Sequence, residues 1–587
     1  MPKRFSYTKL ILFLFILGFQ AISIYSQEKP NILVVVVDDA GYADWGFQGS
    51  TIFETPNVDQ LVSEGTYFSQ AYVTGATCSP SRAGLLTGRY QNRFGFEYNT
   101  DNFPSPGKTM ADVGIDPSEK TLGNYMQELG YNTAAIGKMH VGDDIDNYHP
   151  NNRGFDYFYG LLGGSRPYFH TDDLEPWKQL MRNFEYDDLA EGYMTDVLTD
   201  EALLWIKDQS ESSENPFFTY LSYTAVHGPY TAKQEDFERF DGITWPNGKL
   251  CNEDRQNCAG MAYNLDQNVG KLIDSLKNWG IYDNTLLFFI NDNGGKKSKI
   301  ITDNGTLFEG KGSPYEGGYR VPFLMVWPGH IHKDTVYTKQ VISLDIAATM
   351  IKAAGGELPQ EKRLDGVDLI PVLHDSTITA HEYLFWRKYT SWAVAKKEEH
   401  KIIIHYGQPG VADEDTAYYK LKPDGSGEKN NLYNGLGDPI VNDLIQKYND
   451  WESEMVRPYW LGIYVAYKFC GKPVVGFPDC PYIYSLFGPV DGSEVESACK
   501  EEDAYGVFPN FLSSDQDLTI NIPEQSDVTL IVYDSVGKMK VKQTVVNQQV
   551  MKIAELGLES GVFFYGLYDY HTETLYKSSK ILVQSID

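Results

Sequence analysis

Cys78-Ser79-Pro80-Ser81-Arg82, continuing through Ala83-Gly84-Leu85-Leu86 to Thr87-Gly88, is the stretch best equipped for chemistry. Pro80 suits the first turn of a helix, where its missing N–H would have no partner in any case. Cys78 then stands at a helix N-terminus, where free backbone N–H groups and the helix dipole attract anions. Arg82, one turn further on, can face the same spot. A buried free cysteine beside a structural arginine fits this local pattern equally well. Elsewhere, polar residues follow directly after apolar runs. Asp38 and Asp39 follow residues 32–37, Lys138 and His140 follow 134–136, His227 follows 217–223, and Asp292 with Asn293 follows 286–290. A loop residue or helix cap explains any one of these. Four such endings together argue for a shared site.

The elements that must position them are legible from pattern. The unbroken Val-rich run at 32–37 reads as a central strand buried on both faces. Residues 134–136, 217–223, 286–290 and 323–327 read as further strands, with helical patterns between them at 122–129, 195–207 and 261–279. This alternation predicts an α/β fold with a large, mostly parallel sheet flanked by helices. Ligands of such sheets bind beyond the carboxyl ends of the strands, where the polar residues collect here. The catalytic domain is expected over 27–375. Short strand-like segments at 384–386, 392–394 and 401–405 predict a smaller antiparallel subdomain over 376–460. Residues 461–505 read as a linker. Beyond them, short β runs such as 518–522, 528–533 and 562–568 predict a small all-β module over 506–587.

The chain has 587 residues, enough for two or three domains of this kind. Its 42% hydrophobic and 22% charged residues describe a globular protein and exclude disorder of the whole chain. A net charge of −30 argues against general nucleic-acid binding, which needs a basic footprint. An anionic substrate would need a local basic pocket within this acidic body. Aromatic residues at 14% suit stacking on sugar rings and large cores alike. Lys3, Arg4 and Lys9, the apolar run 10–19 and the small residues Ala21, Ser23 and Ser26 read as an export leader over 1–26. An uncleaved N-terminal anchor is the alternative. No other apolar run is long enough to suggest a transmembrane helix. Export permits disulfides. Cys251 and Cys258 could pair across a short polar loop, and Cys470, Cys480 and Cys499 could hold one bridge, but spacing does not decide the pairing.

The stretch Cys78 to Gly88 resembles the sulfatase signature, Cys-x-Pro-x-Arg followed by Thr-Gly, at all its fixed positions. The resemblance is to the type I, formylglycine-dependent sulfatases of the alkaline-phosphatase-like superfamily, and it extends from Pro30 to about Trp460. Asp38-Asp39 looks like the family's first metal-binding pair. Gly137-Lys138-Met139-His140 looks like Gly-Lys-Trp-His with Met in place of Trp. Residues 216–229 are similar to the strand leading to a second histidine, here His227. Asn291-Asp292-Asn293-Gly294 resembles the second metal segment, with Asn291 where Ser is usual. Gly310-Lys311-Gly312 and Glu316-Gly317-Gly318-Tyr319-Arg320-Val321-Pro322 match a further signature.

The resemblance implies that Cys78 is converted to formylglycine by a maturation enzyme and that the hydrated aldehyde is the nucleophile. It implies one Ca2+ held by Asp38, Asp39, Asp292, Asn293 and residue 78, a set of hard oxygen donors that suits Ca2+ and is poor for Zn2+. Arg82, Lys138 and Lys311 would neutralise the sulfate. One of His140 and His227 would protonate the leaving alcohol, by resemblance His227, and the other would deprotonate the formylglycine hydroxyl. A sulfated polysaccharide or its oligosaccharides, algal or glycosaminoglycan, is the expected substrate. Arg166, His149 and His170 lie where substrate loops often are, and where ordinary surface residues also occur. The alternatives are a phosphate or phosphonate ester hydrolase of the same superfamily and a non-catalytic carbohydrate-binding protein. Finally, Phe508-Pro509-Asn510, residues 532–538, 558–564 and 580–584 resemble the sorting domain of the type IX secretion system. That implies the secretion machinery as a partner and a secreted or cell-surface location. A carbohydrate-binding β-sandwich is the other reading of this module.

Overall fold

The Val-rich run forms β1 (Asn31–Val37), the middle of a parallel sheet. A computed structural model of the chain describes residues 29–461, except 101–102, 105–111, 172–173, 175–177, 188–190, 246–247, 297–300, 376, 390, 407–414 and 436, together with strands between 506 and 584. The expected leader, nearly all of the expected linker, and Cys470, Cys480 and Cys499 lie outside the described residues.

Among the described residues, β1 is joined by β2 (Thr66–Phe68), β3 (Asn132–Lys138), β4 (Tyr157–Leu161), β5 (Met181–Arg182), β6 (Glu185–Tyr186), β7 (Phe217–Ser222), β8 (Thr285–Asn291), β9 (Phe323–Val326) and β10 (Thr335–Tyr337). They lie in the order β10-β2-β9-β8-β1-β7-β3-β4-β5-β6. The block β8-β1-β7-β3-β4 is parallel throughout. β9 runs antiparallel to both β8 and β2. Successive strand side chains point to opposite faces. Ile32, Val34 and Val36 therefore enter one apolar layer, and Leu33, Val35 and Val37 enter the other. Both layers are closed to solvent, which is why the run has no polar position. Each such side chain contributes about 1.5–3 kcal/mol by burial.

Helices α1 (Cys78–Thr87), α2 (Met194–Ser212) and α3 (Glu253–Asn278) flank the sheet. α3 starts eight residues before the expected 261. The Asn252 side chain accepts from the Arg255 N–H at 2.9 Å, and Glu253 and Asp254 occupy the first turn. The anticipated loop between Cys251 and Cys258 is thus the helix start, and both cysteines are free thiols. Cys258 faces the core. The pairing considered for them is not formed.

The antiparallel subdomain is a meander of β11 (Leu384–Lys388), β12 (Trp392–Lys397), β13 (His400–His405) and β14 (Asp415–Lys420), backed by α4 (Pro439–Glu452). Beyond residue 505 the described strands form a three-stranded and a five-stranded sheet. That is the all-β character expected of this segment.

A buried charge seam fastens the meander to the α/β sheet. Lys401 Nζ lies 3.0 Å from Glu316 Oε1 and 2.8 Å from Glu428 Oε1, and all three side chains are closed to solvent. Tyr72 OH donates to Glu316 Oε2 at 2.7 Å, and the Glu316 N–H donates to Glu428 Oε2 at 2.8 Å. Burial, with the Glu316 charge beside it, pushes the Glu428 carboxyl up to about 7 despite Lys401. Removing the shared cation strands two buried carboxylates. Lys401→Met should therefore lower unfolding free energy by about 3–5 kcal/mol, read from urea denaturation.

Candidate active site

The structure gathers the polar strand endings around the start of α1. Cys78 is the first residue of that helix, and all ten of its residues are buried. Its thiol donates to Asp38 Oδ1 at 3.5 Å and lies 3.9 Å from Asp39 Oδ1. One ligand atom from each of Asp38, Asp39, Cys78 and Asp292 falls within 4.8 Å of the others. Asp38 continues β1, its N–H donating to the Ala225 carbonyl at 2.9 Å. Asp39 then turns sharply, with φ 62, and its N–H donates to Asp292 Oδ1 at 3.3 Å. A left-handed backbone at a non-glycine residue costs about 1–3 kcal/mol, so the surroundings must hold it there.

Three cations face the three carboxylates. Lys138, the last residue of β3, places Nζ 2.6 Å from Asp38 Oδ2. Lys311 Nζ lies 2.7 Å from Asp39 Oδ1 and 3.2 Å from Cys78 Sγ. Arg82 Nε donates to Asp292 Oδ2 at 2.8 Å, and one Nη donates to the Lys138 carbonyl at 2.9 Å and to the Ser222 hydroxyl. The other Nη is enclosed without a hydrogen bond, 3.8 Å from Asp38 Oδ2. Arg82 is thus wholly buried and anchors the acidic side of the site.

The charges set the protonation states. Burial opposes ionisation of Asp38, but Lys138, His227, Arg82 and Lys311 together hold its carboxyl below the usual range. Burial likewise opposes ionisation of Asp39, and Lys311 and His227 outweigh it. Asp292 goes the other way: burial and the Asp38 charge raise it to about 6, with Arg82 and Lys138 opposing. Burial pushes the Cys78 thiol up, against the pull of Lys138 and Lys311. The encoded cysteine is therefore a neutral thiol and a weak nucleophile.

The site also offers hard oxygen donors to a cation. Asn293 donates through Nδ2 to Asp39 Oδ1 at 2.7 Å and to the Gly294 carbonyl at 2.9 Å. Its Oδ1 is buried with no hydrogen-bond partner. Its amide lies beside Asp39, and turned over it would add an oxygen to the three carboxylates, a donor set that fits a hard divalent metal such as Ca2+ and is a poor match for zinc.

The two histidines stand differently. His227 is the more open, with 26% of its side chain exposed. Its Nε2 lies 3.6 Å from Asp39 Oδ2, and its Nδ1 is 2.6 Å from the Gly228 carbonyl. That bond assigns the proton to Nδ1 in the neutral ring. Burial lowers its pKa, with Asp38 and Asp39 opposing. His140 is enclosed, two residues past Lys138, and also has a left-handed backbone with φ 57. Gly164 lies against its ring: a Cβ there would come within 2.6 Å of His140 Cε1.

Of the three residues singled out between core segments, His149 is structural. Its Nε2 bonds the Asn183 carbonyl at 2.8 Å and its ring stacks on Phe184. His170 is exposed. Arg166 is buried, contrary to a surface reading. Sequence reasoning missed Ser222 and Gly164. Ser222 ends β7 and obeys the same strand-end rule as the aspartates, which could have revealed it. The two departures from the family pattern are accommodated. Met139 packs in the core, and Asn291 Nδ2 donates to the Ala40 carbonyl at 2.9 Å, tying the second metal segment to the turn after β1.

Comparison with known proteins agrees with this geometry. Residues 30–356 match the Sulfatase family, and residues 307–454 match the family described as N-sulphoglucosamine sulphohydrolase, C-terminal. N-acetylgalactosamine-6-sulfatase of Mus musculus is 32% identical over 401 residues, covering 66% of this chain and 74% of that protein. Arylsulfatase G of Rattus norvegicus is 32% identical over 400 residues, covering 61% of this chain and 71% of that protein. The crystal structure of Ps i-CgsB in complex with k-i-k-neocarrahexaose aligns with a TM-score of 0.66 at 34% identity, covering 75% of this chain and 97% of that one. Since the family match takes in more than half of the chain, including every residue of the cluster around Cys78, this chain belongs to the sulfatase family and is a sulfuric ester hydrolase.

Proposed function

We propose that the chain removes sulfate from a sulfated glycan, with formylglycine at position 78 and one bound Ca2+. The observation that carries this reading is the convergence of Asp38, Asp39, Cys78 and Asp292 within 4.8 Å at the start of a buried helix. The sugar named in N-acetylgalactosamine-6-sulfatase and the neocarrahexaose held by Ps i-CgsB support a glycan substrate.

Formylglycine hydrate at residue 78 would supply the attacking hydroxyl, and a bound divalent cation would hold a sulfate oxygen and make that hydroxyl more acidic. Asp38, Asp39, Asp292 and Asn293 Oδ1 would hold the cation. Lys138 and Lys311 bring positive charge beside position 78, where negative charge grows on the sulfate oxygens. His227, the more open imidazole, donates the proton that the leaving alcohol needs. Burial works against its charged form, Asp38 and Asp39 offset part of that cost, and the bond to Gly228 orients the ring. His140 takes the proton from the second hydroxyl at residue 78, so that the carbon–oxygen bond to the transferred sulfate breaks, sulfate leaves and the aldehyde re-forms, ready to be hydrated again.

Three outcomes test this reading. The peptide containing residue 78, from protein made in a host with a maturation system, should show the mass of an aldehyde. Cys78→Ala should abolish sulfate release from defined sulfated oligosaccharides. Chelation should stop release and Ca2+ restore it, with phosphate monoesters turned over far more slowly. Full activity of protein with an unmodified Cys78, or a two-zinc centre by metal analysis, overturns the mechanism. The contact between Gly164 and His140 gives a second test. Gly164→Ala should displace the imidazole and lower kcat by about 100-fold with little change in melting temperature; an unchanged kcat would remove His140 from proton transfer.

Export completes the proposal. Among the described residues no helix is long and apolar enough to cross a membrane. The leader at 1–26 would direct export, and residues 506–587 would serve type IX secretion, a reading supported by the two β-sheets in that segment. A periplasmic reporter fused to this segment should reach the medium or cell surface of a type IX-competent host. Retention in the periplasm would rule the sorting role out.

A further inference from the structure

Five other arginines are buried in the described part of this chain, and each has a partner inside the protein. Arg82 pairs with Asp292, Arg255 with Asp44, and Arg387 with Glu97. Arg320 donates to the Ser69 and Pro423 carbonyls, and Arg153 to four carbonyls that include those of Ile115 and Glu119. Arg166 is different. It is 5% exposed, its Nε is enclosed without an acceptor, and among the described residues no carboxylate or carbonyl pairs with its guanidinium. Burial lowers its pKa, with Tyr159 opposing, yet a guanidinium stays charged under any ordinary condition.

Its position explains what such a charge could serve. Arg166 sits on the segment that follows β4. Two residues before it, the Gly164 backbone lies against the His140 ring. Two residues after it, Tyr168 OH donates to the carbonyls of Thr224 at 2.6 Å and His227 at 2.9 Å. Residues 164–168 therefore bridge the two candidate proton-transfer histidines, with the unpaired cation in the middle. The carboxylates and ammonium groups of the catalytic cluster are paired with one another, so Arg166 is outside that balance. A charge taken from water without a partner is costly, and it persists where a ligand completes it.

We propose that Arg166 binds a second anionic group of the substrate, a carboxylate or a further sulfate on the sugar whose sulfate is removed or on its neighbour. The guanidinium fork matches either oxyanion through paired N–H donors. This rests on the sulfatase reading and adds to it a requirement for at least two negative groups on the preferred substrate.

The test compares wild type, Arg166→Leu and Arg166→Lys on three sets of sulfated oligosaccharides: one sulfate only, one sulfate plus a uronate, and two sulfates. The quantity read is the ratio of kcat/KM for each doubly charged set to that for the singly charged set. Arg166→Leu should lower this ratio about 10–100-fold, through KM, and Arg166→Lys should recover part of it. The set with the larger fall identifies carboxylate or sulfate as the partner. In parallel, calorimetry on Cys78→Ala with and without Arg166→Leu should show the same selective loss of binding, independent of turnover. Loss of an internal structural cation would weaken all substrates alike and lower the melting temperature. A ratio unchanged by Arg166→Leu, in kinetics and in binding, overturns the proposal. Failure of the wild type to release sulfate from any set, with selective binding intact, would instead count against the sulfatase reading alone.

Discussion

Asp38, Asp39 and Asp292 are three carboxylates sharing one dry spot at the end of a sheet, and the site around them follows from the need to keep that arrangement neutral enough to exist. Lys138, Lys311 and Arg82 do so, each within hydrogen-bond reach of a different carboxylate. A buried carboxylate without such a partner would take up a proton or unfold the region. The compensation is unequal. Asp38 and Asp39 are held ionised, whereas Asp292 is raised to about 6 by burial and the Asp38 charge. The Asn293 amide, its nitrogen bonded to Asp39 and its oxygen buried without a partner, lies beside them. A hard cation there would relieve both.

No single segment of the chain could supply both signs at this density, so the site depends on strand register. Val37 of β1 stands opposite Asn291 of β8, and Val36 stands opposite Ser222 of β7, which in turn faces Gly137 of β3. The residues that leave these strands, Asp38, Asp292 and Lys138, therefore emerge at one level. A slip of one residue would turn each strand's side chains to the opposite face. The apolar layers on both faces of β1 make such a slip prohibitive, so core packing and site geometry are the same constraint seen at two ends of a strand.

The antiparallel meander contributes through the other side of α1. Glu316, fastened to Lys401 on β13, belongs to the same stretch as Lys311, the cation nearest Cys78. The Lys311 N–H donates to the Gly295 carbonyl and the Gly312 N–H to the Ala76 carbonyl, at 3.1 and 2.7 Å, so this loop is pinned between the metal segment and the turn before α1. The subdomain thereby steadies a lysine that sits in sequence more than two hundred residues from the cysteine it faces.

Much of this was readable from sequence, because it depends on local patterns. The double burial of β1 is written in its unbroken Val run. The start of α1 is written in Pro80, and the strand-end positions of Asp38, Lys138 and Asp292 in the abrupt change from apolar to polar. The start of α3 was also local, in Asn252 and the acidic pair after it, and was obscured only by the cysteines on either side. Other features depend on what the chain brings together from afar. The left-handed turns at Asp39 and His140, the locking of Arg82 by Ser222 and Asp292, and the Lys401 seam have no signature in their own neighbourhoods. Arg166 reads in sequence as one more loop arginine. That it is buried, alone among the buried arginines of the described residues in lacking an internal partner, depends on every described neighbour that might have paired with it and does not, and only tertiary structure decides that.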